Sequence, residues 1–326
     1  MQAPRTEQAT AGGPGGRSVP VRAMASVALG LVGVTWVLIM FGASVRAHGA
    51  GLACPDWPLC FGEVIPPIDF GVAYEFGHRV LAGLVSLAFG VLFFWILRHR
   101  RALPARAAWL GGVALVVLVV QIVLGGLTVL ELLAQWTVTS HLIAGNLFCV
   151  VLFIIALTLR ESAAPVTRSP VSMAQRLGVG LFAVLLPFQF ALGGLVSSNN
   201  AGLVCPSWPT CAGAAWFPTF EGLVGLHLMH RVVAYGLLAA AVLPVIASGG
   251  RGRVGRGSVL LLALVLAQVA LGIANVMMRL PVEVTVLHTG GAAALVLVTA
   301  WLNYEAALAP RPGRVTAPGL STAEMA

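Results

Sequence analysis

Residues 50–60 read AGLACPDWPLC, and residues 201–211 read AGLVCPSWPTC. Eight of the eleven positions are identical, and each stretch contains a Cys-Pro-x-Trp-Pro-x-Cys loop. The two stretches start 151 residues apart in a chain of 326 residues. A repeat nearly half as long as the chain indicates two tandem copies of one structural unit.

Further residues match at almost the same spacing, beyond the repeated loop. Their offset shrinks along the chain, which indicates a shorter connection within the second copy. The matched residues are His78-Arg79 with His230-Arg231 at an offset of 152, and Gln121, Gly125 and His141 with Gln268, Gly272 and His288 at an offset of 147.

The composition is that of an integral membrane protein. Hydrophobic residues make up 59% of the chain and charged residues only 9%, whereas a soluble domain carries about 25% charged residues. Eight apolar stretches are each long enough for one transmembrane helix, which needs about 20 residues. They cover residues 24–45, 74–97, 107–130, 137–159, 177–197, 224–248, 258–280 and 283–305.

Four spans in each copy give both copies the same orientation, so the repeat is parallel. We therefore predict an all-α integral membrane fold, in which eight transmembrane helices form two pseudo-symmetric four-helix bundles. The expected segments are a cytoplasmic tail (1–23), an N-terminal half (24–160), a cytoplasmic linker (161–176), a C-terminal half (177–305) and a second cytoplasmic tail (306–326).

The basic residues indicate the orientation in the membrane. All 19 are arginine, against 11 acidic residues, and such a balance can indicate nucleic-acid binding. With the N-terminus inside, however, 15 arginines fall on the cytoplasmic side, as the positive-inside rule requires. Both termini are then cytoplasmic and no nucleic-acid partner is needed. The 15 are Arg5, Arg17, Arg22, Arg98, Arg100, Arg101, Arg106, Arg160, Arg168, Arg176, Arg251, Arg253, Arg256, Arg311 and Arg314.

The N-terminal segment also bears on the location. It contains Glu7 and shows no Arg- and Ser-rich, acid-free transit pattern. A bacterial plasma membrane is therefore favoured over an organelle.

Four of the seven histidines are matched in pairs near the outer ends of the spans. A lone histidine in a membrane helix is commonly a packing residue or a proton-relay member. Four that match by repeat and depth favour two haems, one per half, because imidazole is a standard axial ligand of haem iron. A closed zinc site would need four ligands. The pairs are His78 with His141, and His230 with His288.

One acidic residue breaks the match between the halves. Glu75 lies three residues before His78 on the same helix face, and His227 occupies the aligned position in the second half. A carboxylate at the hydrocarbon edge is a functional candidate, with simple solvation at the loop boundary as the alternative. The asymmetry predicts chemistry in the first half and electron transfer in the second. Arg79 and Arg231 can pair with haem propionates or snorkel to anchor the helix ends.

The loop cysteines face the oxidising side of the membrane, where disulfides persist. Four cysteines allow three connectivities, and the repeat favours pairing within each loop, Cys54–Cys60 and Cys205–Cys211. We expect these disulfides to shape a cap over each bundle, and a redox-active role of the first pair is the alternative. Cys149, inside the fourth span, is expected to be a packing residue.

This chain combines the stretch Glu75-Phe76-Gly77-His78-Arg79, the loop at 54–60 and the matched histidines. In this combination it resembles the haem A synthase family. Members are membrane enzymes that make the haem of cytochrome c oxidases. The resemblance covers residues 24–305. Some members carry cysteines only in the first loop, whereas this chain has both pairs.

The resemblance implies a substrate, a cofactor and a reaction. Haem O binds between His78 and His141, and haem b binds between His230 and His288. Two successive hydroxylations of the C8 methyl group, with water as the oxygen source, give a hydrate that loses water to a formyl group. Glu75 stabilises a developing cation or acts as a general base. The resemblance further implies an external electron acceptor, homo-oligomers and proximity to haem O synthase.

Two other functions are compatible with parts of the sequence. A di-haem b-type cytochrome that exchanges electrons with quinone explains the four histidines but gives no reason for Glu75 in one half only. A transporter or haem exporter explains the duplication but not the histidine set.

Overall fold

The computed structural model describes residues 19–312. Within that range it contains eight long α-helices, a 3-10 turn at Ala201–Leu203 and no named β-strand. All eight helices are long and apolar enough to cross a membrane. This confirms an all-α membrane protein with eight spans. The helices are α1 (Val21–Ala47), α2 (Phe70–Arg98), α3 (Ala105–Leu130), α4 (Gln135–Ala163), α5 (Met173–Ser198), α6 (Gly222–Ser248), α7 (Gly252–Met277) and α8 (Val282–Leu308).

Most helices extend a few residues beyond the apolar stretch that predicts them. The largest difference is in α7, which begins within the Gly- and Arg-rich segment at Gly252 and ends at Met277. Hydropathy places the start too late because the polar first turns carry no apolar signal, and it places the end too late because it does not detect the left-handed turn at Arg279 and Leu280.

The turns that lead into α4 and α8 share an uncommon backbone conformation. Leu132 and Leu133 have φ angles of 48° and 62°, and Arg279 and Leu280 have φ angles of 60° and 61°. Left-handed backbone is uncommon for residues other than glycine. The two pairs lie 147 residues apart, which is the offset between the matched histidines.

Side-chain caps start two of the helices. Asp69 accepts a hydrogen bond from the Val72 amide at 2.8 Å and begins α2. Ser172 and Gln175 form a capping box that begins α5. Both caps satisfy amide groups at a helix start that have no partner inside the helix.

Each half has a hydrophobic core of its own. Phe89, Leu152 and Ile155 lie in a core built from α1–α4, whereas Phe182 and Leu261 lie in a core built from α5–α8. Between the halves, α1 packs on α8, and α4 packs on α5 and α8. The arrangement is compatible with two four-helix bundles, and the division into segments at residues 160 and 177 stays a prediction.

The two ends of the molecule differ in their connections. The loop end carries the segments at 48–69 and 199–221, and the linker end carries the α4–α5 connection at 164–172. At the linker end, Glu305 pairs with Arg168 and Arg253, and Arg168 also pairs with Glu161. These ion pairs join α4, the linker, α7 and α8. Arg5, Arg17 and Arg314, which contribute to the predicted orientation, lie outside the described residues.

Candidate haem sites at the loop end

The loop end is closed by two disulfide loops. Cys54 is bonded to Cys60, and Cys205 to Cys211, which confirms the within-loop pairing. All four cysteines are buried, and Cys149 is a free cysteine buried in α4.

Glu75 lies directly beneath the first disulfide loop. Its side chain is 6% exposed. One carboxylate oxygen accepts a hydrogen bond from the Cys54 amide at 2.9 Å, and the other accepts one from Arg79 Nη2 at 2.5 Å. The carboxylate is therefore a buried, paired group, and it is not simply solvated at the loop boundary.

Arg79 and Arg231 bind the disulfide loops in the same manner. Arg79 donates to the carbonyl oxygens of Asp56 at 2.7 Å and Leu59 at 2.5 Å. Arg231 donates to three carbonyl oxygens of the second loop, at distances of 2.9 to 3.2 Å. Each guanidinium thus holds its loop on the helix that carries the proposed haem ligand. The contact to a haem propionate stays a prediction.

His227 takes the place of Glu75 in the second half. It is 4% exposed, and its Nδ1 lies 2.9 Å from the Ala201 carbonyl oxygen. An imidazole that donates one hydrogen bond to a carbonyl replaces a carboxylate that accepts two. The two halves therefore offer different chemistry at matched positions.

The structure brings the four matched histidines together in pairs. His78 lies close enough to His141 for the two imidazoles to interact electrostatically, and His230 interacts with His288 in the same way. Each half thus brings two imidazoles together at the loop end. Within residues 19–312, no group of three or more His, Cys, Asp or Glu side chains is placed to hold a metal ion.

The histidine nitrogens fit axial ligation of a haem. His141 Nδ1 lies 3.2 Å from the Gln121 carbonyl oxygen, and a donated hydrogen bond there leaves the Nε2 lone pair for iron. The Nδ1 atoms of His78, His230 and His288 are buried without a hydrogen bond to the described residues. At His78 and His288, Nε2 is then the nitrogen left for a ligand, whereas His230 Nε2 is in contact with the Gln189 side chain.

Glutamine side chains accompany three of the four histidines. Gln121 Nε2 lies 3.5 Å from His141 Nε2, and Gln189 Nε2 lies 3.3 Å from His230 Nε2. Gln268 donates to the His288 carbonyl oxygen at 2.6 Å. In the sequence, Gln121 and Gln268 are recognisable only as markers of the repeat.

The sequence does not predict a role for Gln189. The position 151 residues earlier is Leu38, so no match draws attention to it. A polar amide in the middle of an apolar span was the available signal.

Trp57 packs on the helix segment that also contacts His141. Its indole ring lies 3.0 Å from the position that a Cβ atom on Gly126 would occupy. The adjacent Gly125 faces His141 in the same way. The residue that matches Gly126 in the second half is Ile273, so the glycine of this contact is not repeated.

The fold and the sites define a class of protein, an eight-helix membrane protein with two pairs of imidazoles beneath two disulfide-closed loops. Residues 25–73 and 69–300 match the COX15-CtaA family of cytochrome oxidase assembly proteins. The chain is 31% identical to a haem A synthase of Shewanella oneidensis, over 83% of this chain and 92% of the relative. A haem A synthase of Symbiobacterium thermophilum is 30% identical, over 83% and 91%. One of Sinorhizobium medicae is 29% identical, over 79% and 82%.

This chain belongs to the COX15-CtaA family, the family of these haem A synthases. The resemblance stated from the sequence motifs is thereby confirmed.

Proposed function

We propose that this chain is a haem A synthase, an enzyme of haem A biosynthesis that takes haem O as its substrate. Similarity to haem A synthases over most of the chain supports the activity. The observation that carries the assignment of the reacting half is the buried carboxylate of Glu75, one helical turn before His78, where the second half has His227.

We assign the substrate to the first half and a resident haem b to the second. His78 and His141 are the axial ligands proposed for haem O, and His230 and His288 those for haem b. Two imidazoles per half at the loop end, with Nδ1 turned into the protein, support this donor set. When bound, haem b supplies one-electron transfer between the substrate site and an external acceptor.

The proposed reaction oxidises the C8 methyl group of haem O to a formyl group. Each of two hydroxylations adds the oxygen of one water molecule and releases two protons and two electrons to the external acceptor. The resulting hydrate loses one water molecule to give the aldehyde. The chain must therefore favour positive charge at the methyl carbon and accept protons from water.

Glu75 is suited to both tasks. Each of its two oxygens accepts one hydrogen bond, from Cys54 and from Arg79, and a carboxylate has about four acceptor positions in all. The remaining positions can accept a proton from water or face a developing cation. Arg79 and the Cys54 amide hold the carboxylate in one orientation, so it needs no rearrangement during the reaction.

Replacement of Glu75 in cells that lack their own haem A synthase tests the proposal. We expect Glu75→Ala to abolish haem A while haem O or a hydroxylated haem remains bound, as measured by chromatography of extracted haems. The haem b content should stay at the wild-type level. Normal haem A output from Glu75→Ala would remove this residue from the reaction.

The same haem extraction distinguishes a haem A synthase from a di-haem b-type cytochrome. The matched histidine pairs in both halves are compatible with such a carrier. Haem O, hydroxylated haem or haem A in the wild-type protein supports the enzyme. Haem b as the only haem would favour an electron carrier that works with quinone.

The cellular setting is part of the proposal. Eight apolar helices and bacterial relatives support a multi-pass protein of a bacterial plasma membrane. With both termini cytoplasmic, the loop end and its haem sites lie near the outer face. The proposed partners are haem O synthase, further copies of this chain and the electron acceptor.

A further inference from the structure

Each of the four proposed haem ligands packs against a glycine of the preceding helix. A Cβ atom added to that glycine would lie only 2.9 to 3.2 Å from the Cε1 atom of the imidazole. The pairs are Gly42 with His78 (3.1 Å), Gly125 with His141 (2.9 Å), Gly193 with His230 (3.1 Å) and Gly272 with His288 (3.2 Å).

The four glycines follow the repeat of the sequence. Gly42 and Gly193 are 151 residues apart, and Gly125 and Gly272 are 147 residues apart, the same offsets that relate the loops and the histidines. Glycine inside a helix costs about 1 kcal/mol relative to alanine. The chain therefore carries this helix-propensity cost four times, once in each of α1, α3, α5 and α7, at the position that contacts a histidine ring.

The buried nitrogens show why such a contact matters. A metal-bound histidine is usually oriented by a hydrogen bond from its second ring nitrogen. His141 has that bond, to the Gln121 carbonyl oxygen, and the backbone carbonyls of Gln189 and Gln268 make weaker contacts of the same kind to His230 and His288. The Nδ1 atom of His78 is buried without a hydrogen bond to the described residues. Packing against the helix with the glycine is therefore the contact that all four rings share, and it limits the plane and depth of each ring.

We propose that Gly42, Gly125, Gly193 and Gly272 are positioning residues, each of which sets the orientation of one axial histidine. This inference rests on the haem sites of the proposed function. An alanine methyl group would approach Cε1 more closely than the ordinary contact distance of 3.4–4 Å. The ring must then tilt or withdraw, which moves its Nε2 atom relative to the haem.

The second half allows a test with haem b as the probe. Gly193→Ala is compared with Gly180→Ala, because Gly180 lies on the same helix with nothing within 4 Å of its Cβ position. The purified proteins are assayed for haem b per polypeptide, for the reduced absorption band, for the EPR g values and for the midpoint potential. We expect Gly193→Ala to lose at least half of its haem b, and the retained haem to have altered g values and potential. Gly180→Ala should match the wild type.

The spectroscopic readouts separate positioning from general destabilisation. A variant that is merely less stable loses haem, but the haem that it retains keeps the wild-type g values and potential. That result for Gly193→Ala would overturn the proposal, as would wild-type haem content with a wild-type spectrum.

The first half supplies a second test if Gly193→Ala fails to accumulate. Gly125→Ala is compared with Gly112→Ala, which has nothing within 4 Å of its Cβ position on the same helix. Haem b in the unchanged second half measures the folded protein in both variants. We expect Gly125→Ala to bind at least twofold less added haem O per haem b, with an altered spectrum of the bound fraction. Equal, spectrally unchanged binding by the two variants would overturn the proposal.

His230→Ala distinguishes this inference from the proposed haem site itself. Full retention of haem b by His230→Ala would show that the second site is wrongly assigned. Loss of haem b in His230→Ala, together with a wild-type spectrum in Gly193→Ala, would overturn only the role of the glycines.

Discussion

The guanidinium of Arg46 donates a hydrogen bond to the Ser197 hydroxyl at 2.9 Å, although the two residues hold the same position in the two repeats. They are 151 residues apart, the offset between the disulfide loops. Arg46 also bonds to the Ser197 carbonyl oxygen and to the Asn200 side chain. Equivalent residues that meet in this way place the loop ends of α1 and α5 on either side of the boundary between the halves.

Replacement of Arg46 by glutamine should weaken this boundary. The bonds are partly exposed, so we expect a loss of roughly 1 kcal/mol in the free energy of unfolding, or a melting temperature about 2 °C lower. Thermal unfolding in detergent measures the change. Arg279→Gln is the control, since Arg279 is exposed at the same end of the molecule. Equal melting temperatures for the two variants would contradict a role of Arg46 between the halves.

Removal of the Glu305 carboxylate should lower the free energy of unfolding more than Arg46→Gln does. Glu305 is 2% exposed and accepts a bidentate pair of hydrogen bonds from Arg253 at 3.0 Å, and one from Arg168 at 3.2 Å. Glu305→Gln removes the negative charge with which both guanidinium groups pair, which costs about 3 kcal/mol for a buried pair.

Arg253→Gln is the matched variant at the linker end. The Arg253 side chain is 43% exposed, and Arg168 still pairs with Glu305 in its absence, so we expect a loss below about 1 kcal/mol. Melting curves of the two variants in the same detergent compare the losses. A loss for Arg253→Gln as large as that for Glu305→Gln would show that the burial of Glu305 is not what makes it important.

Arg79→Lys should loosen the first disulfide loop. A lysine has a single ammonium group and cannot reach the Asp56 and Leu59 carbonyl oxygens and Glu75 together, as the guanidinium does. We expect dithiothreitol to reduce the Cys54 disulfide several-fold faster in this variant, as measured by thiol labelling and mass spectrometry.

The second loop is the internal control in the same protein. Arg231 still holds the Cys205 loop, so reduction of that disulfide should be unchanged in Arg79→Lys. Equal acceleration at both loops would indicate general unfolding of the loop end and contradict a local role of Arg79.

The architecture was predictable because its signals are long or repeated. Eight apolar stretches predict eight spans, and the Cys-Pro-x-Trp-Pro-x-Cys loops predict both disulfides. The boundaries of α7 were displaced because hydropathy does not detect a polar first turn or a left-handed turn.

The contacts between side chains could not be read from the sequence in the same way. The seat of Trp57 on Gly126 depends on how two helices and a loop approach each other. Arg79 was expected to reach a propionate or the membrane surface, and nothing in the local sequence shows that carbonyl oxygens of the loop lie within its reach. Such contacts are set by tertiary packing and not by spacing along the chain.

Exchange of the residue types at Glu75 and His227, where the two halves differ, should show which half carries out the oxidation. In Glu75→His, an imidazole replaces the buried carboxylate one helical turn before His78, and we expect haem A output to fall at least a hundredfold with haem b unchanged. In His227→Glu, the new carboxylate lies four residues before Arg231, the spacing that pairs Glu75 with Arg79. By the repeat, the Cys205 amide corresponds to the Cys54 amide that binds Glu75, so we expect a folded protein with haem A output within about twofold of the wild type.

Chromatography of extracted haems measures haem A, haem O and haem b in both variants, and the haem b content serves as the measure of folded protein. The direction of the asymmetry is the decisive result, because a carboxylate is needed only where a methyl group is oxidised. Wild-type haem A output from Glu75→His would exclude the carboxylate from the reaction. A loss of haem A in His227→Glu at normal haem b content, equal to that in Glu75→His, would show that the second half takes part in the chemistry.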